Sequence, residues 1–163
     1  RGAAAVEFAF VFPFLFLLMY GVVVYAYTFV IKESISYAAQ EAAEAAVAVD
    51  PAATNADTLR NQRVRDTASA VLAWMPTAQR QRVLGSSGQN VQISYCTNGR
   101  SGCPAQTNAI IVTLNFNMTR PNHLLPVLDM PMVGSVPPLP ATLTAKAVAR
   151  ILSGCSTQKR SRS

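Results

Sequence analysis

Charged residues are scarce in this sequence. Asp, Glu, Lys and Arg make up 13% of it, against about a quarter in a soluble domain. Histidine occurs once, at His123, and beyond Asp50 the carboxylates are Asp57, Asp66 and Asp129, scattered widely. General acid–base chemistry needs such groups positioned together. The chain also lacks a Ser-His-Asp or Cys-His set and a phosphate-binding glycine loop, so it is not expected to be an enzyme. Its three cysteines show neither the C-x2-C spacing nor the paired His of a zinc site. No metal and no other cofactor is expected. No basic stripe is interleaved with aromatics, so nucleic acid is not an expected partner.

The missing charge leaves one long gap. From Phe8 to Ile31, 24 consecutive residues carry no charge. At ~1.5 Å per residue the run spans about 36 Å, enough for a hydrocarbon core of ~30 Å. Phe10, Phe12, Phe14, Leu15, Phe16 and Leu18 lie all round a helix rather than along one stripe, as a soluble amphipathic helix would have them. Tyr20, Tyr25 and Tyr27 gather toward the far end, where amphipathic rings favour the lipid–water interface. The run is too long for a secretory signal core, and no Ala-x-Ala site follows it. The lipid bilayer is therefore an expected partner. Alanine-rich sequence from Tyr37 to Val49 holds no Gly or Pro and continues the helix. A helix from about Ala3 to Val49 would measure roughly 70 Å, with Asp50-Pro51 ending it and Pro13 expected to kink or locally melt it.

Glu7 is the anomaly at the start of that segment. A carboxylate at bilayer depth costs about 2.5–3.5 kcal/mol. It is tolerated in the headgroup zone or beside a cationic partner, and the residues alone leave both open. Arg1-Gly2-Ala3-Ala4-Ala5-Val6-Glu7-Phe8 resembles the type IV prepilin signal: a basic residue and Gly, four small or apolar residues, then Glu and an aromatic. The resemblance implies cleavage by a membrane aspartyl prepilin peptidase between Gly2 and Ala3. Glu7, followed by Phe8, would then be the fifth residue of the mature chain. Arg1 and Gly2 are present here, so either this is a precursor or that bond is not cut.

The wider string, with Ala9, the Pro13-interrupted run and Tyr20-Gly21, is more closely similar to the TadE-like proteins, pseudopilins of the tight-adherence (Flp) pilus system. The likeness holds over residues 1–50; beyond them it is one of size and layout. It implies a minor pilin or pseudopilin needed for pilus assembly, at initiation or at the tip, supporting surface adhesion. The implied partners are other pilins and pseudopilins, the inner-membrane assembly platform and the prepilin peptidase. Glu7 of one subunit would pair with the new amine on Ala3 of a neighbour and set axial register. The alternative is a membrane-tethered periplasmic module that recruits a partner without entering a filament.

Local charge sets the expected orientation. Arg1 flanks one end of the span; Lys32 flanks the other, accompanied by Glu33, Glu41 and Glu44. With the processing signal, that bias puts the N-terminus in the cytoplasm and the head in the periplasm of a bacterial inner membrane. Disulfides form in that compartment. Cys96 and Cys103 flank a glycine-containing turn sequence, and a disulfide closing it is the favoured reading; Cys155 is left over.

The expected division is residues 1–31 as signal and transmembrane helix, 32–50 as helical stalk, 51–155 as an α+β head, and 156–163 as a disordered basic tail. The fold class is α+β, a long N-terminal helix followed by a small antiparallel sheet packed on helix in pilin-like fashion. A second helix is expected from Asn55 or Asp57 to Trp74. Its apolar face is Val64, Ala68, Val71 and Leu72, with Arg60, Arg63 and Arg65 solvated and Trp74 in the core. A short turn follows from Pro76 to Gly85. Period-two alternation marks three strands, with Val91, Ile93 and Tyr95, then Ile110, Val112, Leu114, Phe116 and Met118, then Leu143, Ala145, Ala147, Ala149 and Ile151 each sharing a face. Between the last two strands, Arg120 to Pro140 holds six prolines and reads as a loop without structure of its own. Its Leu124, Leu125, Leu128, Met130 and Met132 either cover the sheet or present a partner-binding patch. Beyond Asp50, twelve basic residues face three acids. That excess of nine reads as a solvated basic surface or as an attraction for anionic partners.

Overall fold

The computed structural model describes residues 3–96, 108–118, 128–130, 134–136 and 140–151, with no side-chain description at 3, 4, 128–130 and 134–136. The order is one long helix, two shorter helices and five strands, an α+β protein with a three-stranded antiparallel sheet. The described residues fall into two compact units. One draws on Arg1–Glu33 and Asn117–Leu143, the other on Ser34–Phe116 and Thr144–Ser163.

Helix α1 (Ala3–Val47) runs unbroken for 45 residues. Pro13 stands inside it without interrupting it, although its ring removes one backbone donor. The helix stops two residues short of Val49. Asp50 ends it twice over: it precedes a proline, and its carboxylate accepts from the Ala52 N–H at 2.8 Å.

In the first unit, α1 is exposed on every side from Ala5 through Phe16. One face then closes: Val24, Thr28 and Ile31 are buried, at spacings of four and three that keep them on one side of a helix. The Thr28 hydroxyl is satisfied within the helix, donating to the Val24 carbonyl at 2.9 Å. Strands β3 (Leu128–Met130) and β4 (Gly134–Val136) pair antiparallel in this unit, with Leu128 opposite Val136. The proline-rich segment expected to lack structure thus contains a short hairpin. Its apolar residues can pair backbone wherever proline does not remove a donor.

In the second unit α1 buries Ile35, Ala38, Ala39, Ala42, Ala43 and Ala46. This run of small side chains lets other backbone approach the helix closely. Helix α2 (Ala56–Val71) follows, with Asp57 in its first turn where a carboxylate favours the helix dipole. It passes through a 3₁₀ turn at Leu72–Trp74 into α3 (Thr77–Leu84), which packs on α2. Gly85 closes α3 at φ 78°, a conformation that disfavours any side chain. Val64, Ala68, Leu72, Met75, Val83 and Leu84 are all buried.

The sheet has the order β1-β2-β5, built from β1 (Gln92–Cys96), β2 (Ala109–Asn117) and β5 (Thr142–Arg150). β1 and β2 are antiparallel, with Gln92 opposite Thr113 and Cys96 opposite Ala109. Beside β5, the Ile151 N–H donates to the Asn108 carbonyl at 2.9 Å and the Thr144 hydroxyl to Asn115 Oδ1 at 2.8 Å. The inner face carries Ile110, Val112, Leu114 and Phe116 from β2 and Ala145 and Ala147 from β5, all buried as the alternation predicts. A smaller apolar cluster of Cys96, Ala109 and Ile111 lies on the opposite face.

Two side chains on the helical layer depart from expectation. Arg60 is not solvated but 7% exposed, one face of α2 carrying Arg60 into line with Val64 and Ala68. Its aliphatic stem is long enough to lie along apolar surface while the head reaches out. Trp74 is not in the core: it is 53% exposed, because it stands two residues past buried Leu72 and so falls on the other side of the helix.

Candidate assembly segment

The chemistry of the N-terminal segment follows from its exposure. Ala3, the residue after Gly2, is the first of α1; Gly2 itself lies outside the described residues. Glu7 is exposed one turn along the same helix, followed by Phe8 at 65% exposure. An exposed carboxylate amid uncovered apolar surface has no described group to neutralise it, which leaves it available to a partner cation.

Four aromatic rings stack along this helix with a period of four. The ring centroids of Phe8 and Phe12 are 5.4 Å apart, those of Phe12 and Phe16 6.2 Å, and those of Phe16 and Tyr20 6.4 Å. These separations lie in the favourable range for aromatic pairs. Each ring stands over the turn before it, so the ladder forms one rigid apolar ridge. Sequence reasoning registered these residues as hydrophobic all round and missed the ridge. Its signal was there, an aromatic at every fourth position from Phe8 to Tyr20.

Beyond the span, the Tyr37 phenol is raised above its ordinary pKa of 10.0, first by its hydrogen bond with Glu41 and then by that carboxylate's charge. In the head, Asp57, Arg60, Asn61 and Tyr95 come together where β1 meets α2. The Tyr95 hydroxyl donates to Asn61 Oδ1 at 2.8 Å and lies 3.2 Å from the Asp57 carbonyl. Arg60 donates through Nη1 to Asp57 Oδ1 at 2.9 Å, while its buried Nε has no partner. Burial raises the Tyr95 pKa, the Asp57 charge adds to the rise, and Arg60 opposes it. This cluster fastens strand to helix; nothing in it is arranged to transfer a proton.

Cys96 is buried at the end of β1 and is disulfide-bonded. Cys103 lies outside the described residues, as do Leu124, Leu125 and Met132. Leu128 and Met130 are placed in β3, one residue apart on either side of Asp129, without description of their side chains. Among the described residues, no group of three or more His, Cys, Asp or Glu could hold a metal ion.

Among the described residues one helix, over Ala5–Val47, is long and apolar enough to cross a membrane, with a most apolar stretch of mean hydropathy 2.3 that is almost wholly uncovered by protein. This fits a single-pass membrane protein. Comparisons with curated proteins and with solved structures returned no match. Residues 2–44, about a quarter of the chain, match the family model described as TadE-like protein. The matched segment is the first 42 residues of α1 together with Gly2, and it contains Glu7 and the whole aromatic ladder. Over that segment the chain is similar to the TadE-like proteins.

Proposed function

We propose that this chain is a minor pilin or pseudopilin of the tight-adherence pilus, needed for initiation or for the tip of the filament and thereby for surface adhesion. The observation that carries the reading is the match of residues 2–44 to the TadE-like family. The helix geometry agrees with it: α1 presents Glu7 and the ring ridge from Phe8 to Phe16 uncovered. The prepilin peptidase makes that cut, and Glu7 then pairs with the Ala3 amine of a neighbouring subunit. In a low-dielectric bundle each charge offsets the other's desolvation, and the pair is satisfied at one axial register.

In this reading the N-terminus is cytoplasmic, the head is periplasmic, and the inner-membrane assembly platform lifts the chain into the filament beside other pilins. A Cys96–Cys103 disulfide closes the turn after β1 in that oxidising compartment. The β3–β4 segment, with Leu124, Leu125, Leu128, Met130 and Met132, offers the apolar contact to a partner.

The test is detection of the chain in pili sheared from cells, together with its intact mass. The expected results are a mass lacking Arg1-Gly2 and a chain present in the sheared fraction. Glu7→Ala should leave the protein in the membrane and abolish its incorporation. Wild-type chain confined to inner-membrane fractions would instead indicate a tethered module outside the filament.

A further inference from the structure

Between α2, α3 and the turn after α3 lies a surface cavity of about 430 Å³, within the usual range for a small-ligand site. Arg65 of α2 and Arg80 of α3 both line it. Neither has a hydrogen-bond or ion-pair partner among the described residues. Two guanidinium groups lining one cavity repel each other, and an anion between them removes that cost. Asp66, also in the wall and exposed, is the one opposing carboxylate there, so the cavity keeps a net positive charge.

The rest of the wall is built for a polar guest. Ser86 and Ser87 bring hydroxyl donors from the turn after α3. Thr77 brings the first turn of α3, which has no acidic residue and no side-chain cap. The N-terminal end of the helix adds partial positive charge on that side.

The turn also fixes one of the arginines. Gly88 takes φ 71°, and a Cβ there would stand 3.2 Å from Arg65 Cβ and Cγ. The turn backbone therefore lies directly on the Arg65 stem, and a side chain at 88 would displace one or the other. The turn itself is held by the Asn90 N–H to the Leu84 carbonyl at 2.9 Å and the Val91 N–H to the Gly88 carbonyl at 3.2 Å. Holding the stem removes part of the rotamer entropy that Arg65 would otherwise lose on gripping a ligand.

We propose that this cavity binds a tetrahedral oxyanion group, a phosphate or sulfate, through Arg65 and Arg80. Guanidinium forks match such oxygens two at a time, which a lysine cannot do. The group arrives on a soluble ester or on a lipid headgroup, and the two sources are separable by experiment. The site is independent of the assembly segment and stands whether or not the chain enters a filament.

The test uses the full chain in uncharged maltoside micelles. Equilibrium dialysis with radiolabelled inorganic phosphate should saturate at one site. Arg65→Gln and Arg80→Gln should each weaken binding about tenfold or more, the loss of a charge-assisted pair of bonds, with unchanged thermal midpoints. Asp66→Asn should tighten it, Gly88→Ala should weaken it, and Lys146→Gln, outside the cavity, should leave it alone. In a parallel arm, phosphatidylglycerol is added to the micelles and bound lipid is counted by native mass spectrometry. Arginine-dependent lipid binding without free-phosphate binding assigns the site to a headgroup and also supports the proposal. Absence of both, or binding indifferent to the two arginine substitutions, overturns it.

Discussion

Replacing Arg60 with Met should stabilise the head. The side chain of Arg60 is 8% exposed and that of its ion-pair partner, Asp57, is 74% exposed. A pair with one partner so open to water contributes about 0–1 kcal/mol. The Arg60 Nε is buried with no partner, and an orphaned buried donor costs about 1–3 kcal/mol. The unmet donor therefore outweighs the ion pair. Methionine keeps most of the stem packing, has nearly the helix propensity of arginine, and carries no donor. The expected gain is about 1 kcal/mol, or a midpoint higher by about 4 °C for a domain of this size. The assay is thermal unfolding of the full chain in neutral detergent, followed by near-ultraviolet circular dichroism. Arg60→Ala is the control: it loses the stem as well and should fall below wild type. A second readout is spectrophotometric titration of Tyr95, whose ionisation Arg60 assists; Arg60→Met should push it to higher pH. A midpoint lowered by several degrees in Arg60→Met would mean that the pair to Asp57 dominates and that Nε finds water or another acceptor.

Two further outcomes follow from the same head. Phe116→Ala empties a fully buried position on the central strand and should cost about 3–5 kcal/mol, seen as a large drop in urea midpoint or as loss of soluble expression. Tyr95 has a raised pKa in the folded state, from burial first and the Asp57 charge second. Its neutral form is thus favoured by folding, and that contribution is complete below the unfolded value of 10.0 and lost as pH climbs through the higher folded value. Tyr95→Phe should flatten the fall of stability above pH 10, leaving the part of the same sign due to Tyr37.

The α+β class, the single long helix, the second helix and the three strands with their inward faces were all legible in the sequence: the long helix from its charge-free length and alanine content, the others from a periodicity that local geometry enforces. Phe116 and Ala145 face inward for no reason beyond the pleat. Arg60 was not legible. Its charge marks it for solvent, and its burial depends on lying in line with Val64 and Ala68 on a face defined by tertiary packing. Trp74 failed for the opposite reason: hydrophobicity predicts burial, but Trp74 stands two residues past Leu72, out of line with the buried row of Val64, Ala68 and Leu72. The hairpin of β3 and β4 escaped because proline density conceals strands only three residues long. Within the candidate segment, Gly2, Glu7 and Phe8 were legible as a motif, whereas the stacking from Phe8 to Tyr20 emerges when the four rings are placed on one helix.

The charge-free run and the run uncovered by protein are not the same, and the shorter of the two predicts where a membrane edge would fall. The charge-free run ends at Ile31, yet Val24, Thr28 and Ile31 are covered by protein, so acyl chains cannot surround the helix there. From Ala5 to Val23 no position is buried. Nineteen residues at ~1.5 Å give about 28 Å, close to the ~30 Å a bilayer core requires. Tyr20 and Tyr25 bracket that end, as interfacial rings do. The exposed Phe29, at 65%, is then expected outside the hydrocarbon although its residue type suggests otherwise. Spin labels at Phe14 and Phe29 in reconstituted protein would test this by comparing collisions with oxygen, which enters lipid, and with a nickel chelate, which stays in water. The Phe14 label should meet oxygen alone and the Phe29 label the chelate as well. If both meet oxygen alone, the bilayer reaches Ile31. The covered face at Val24, Thr28 and Ile31 would then be protein packed against the helix within the membrane itself.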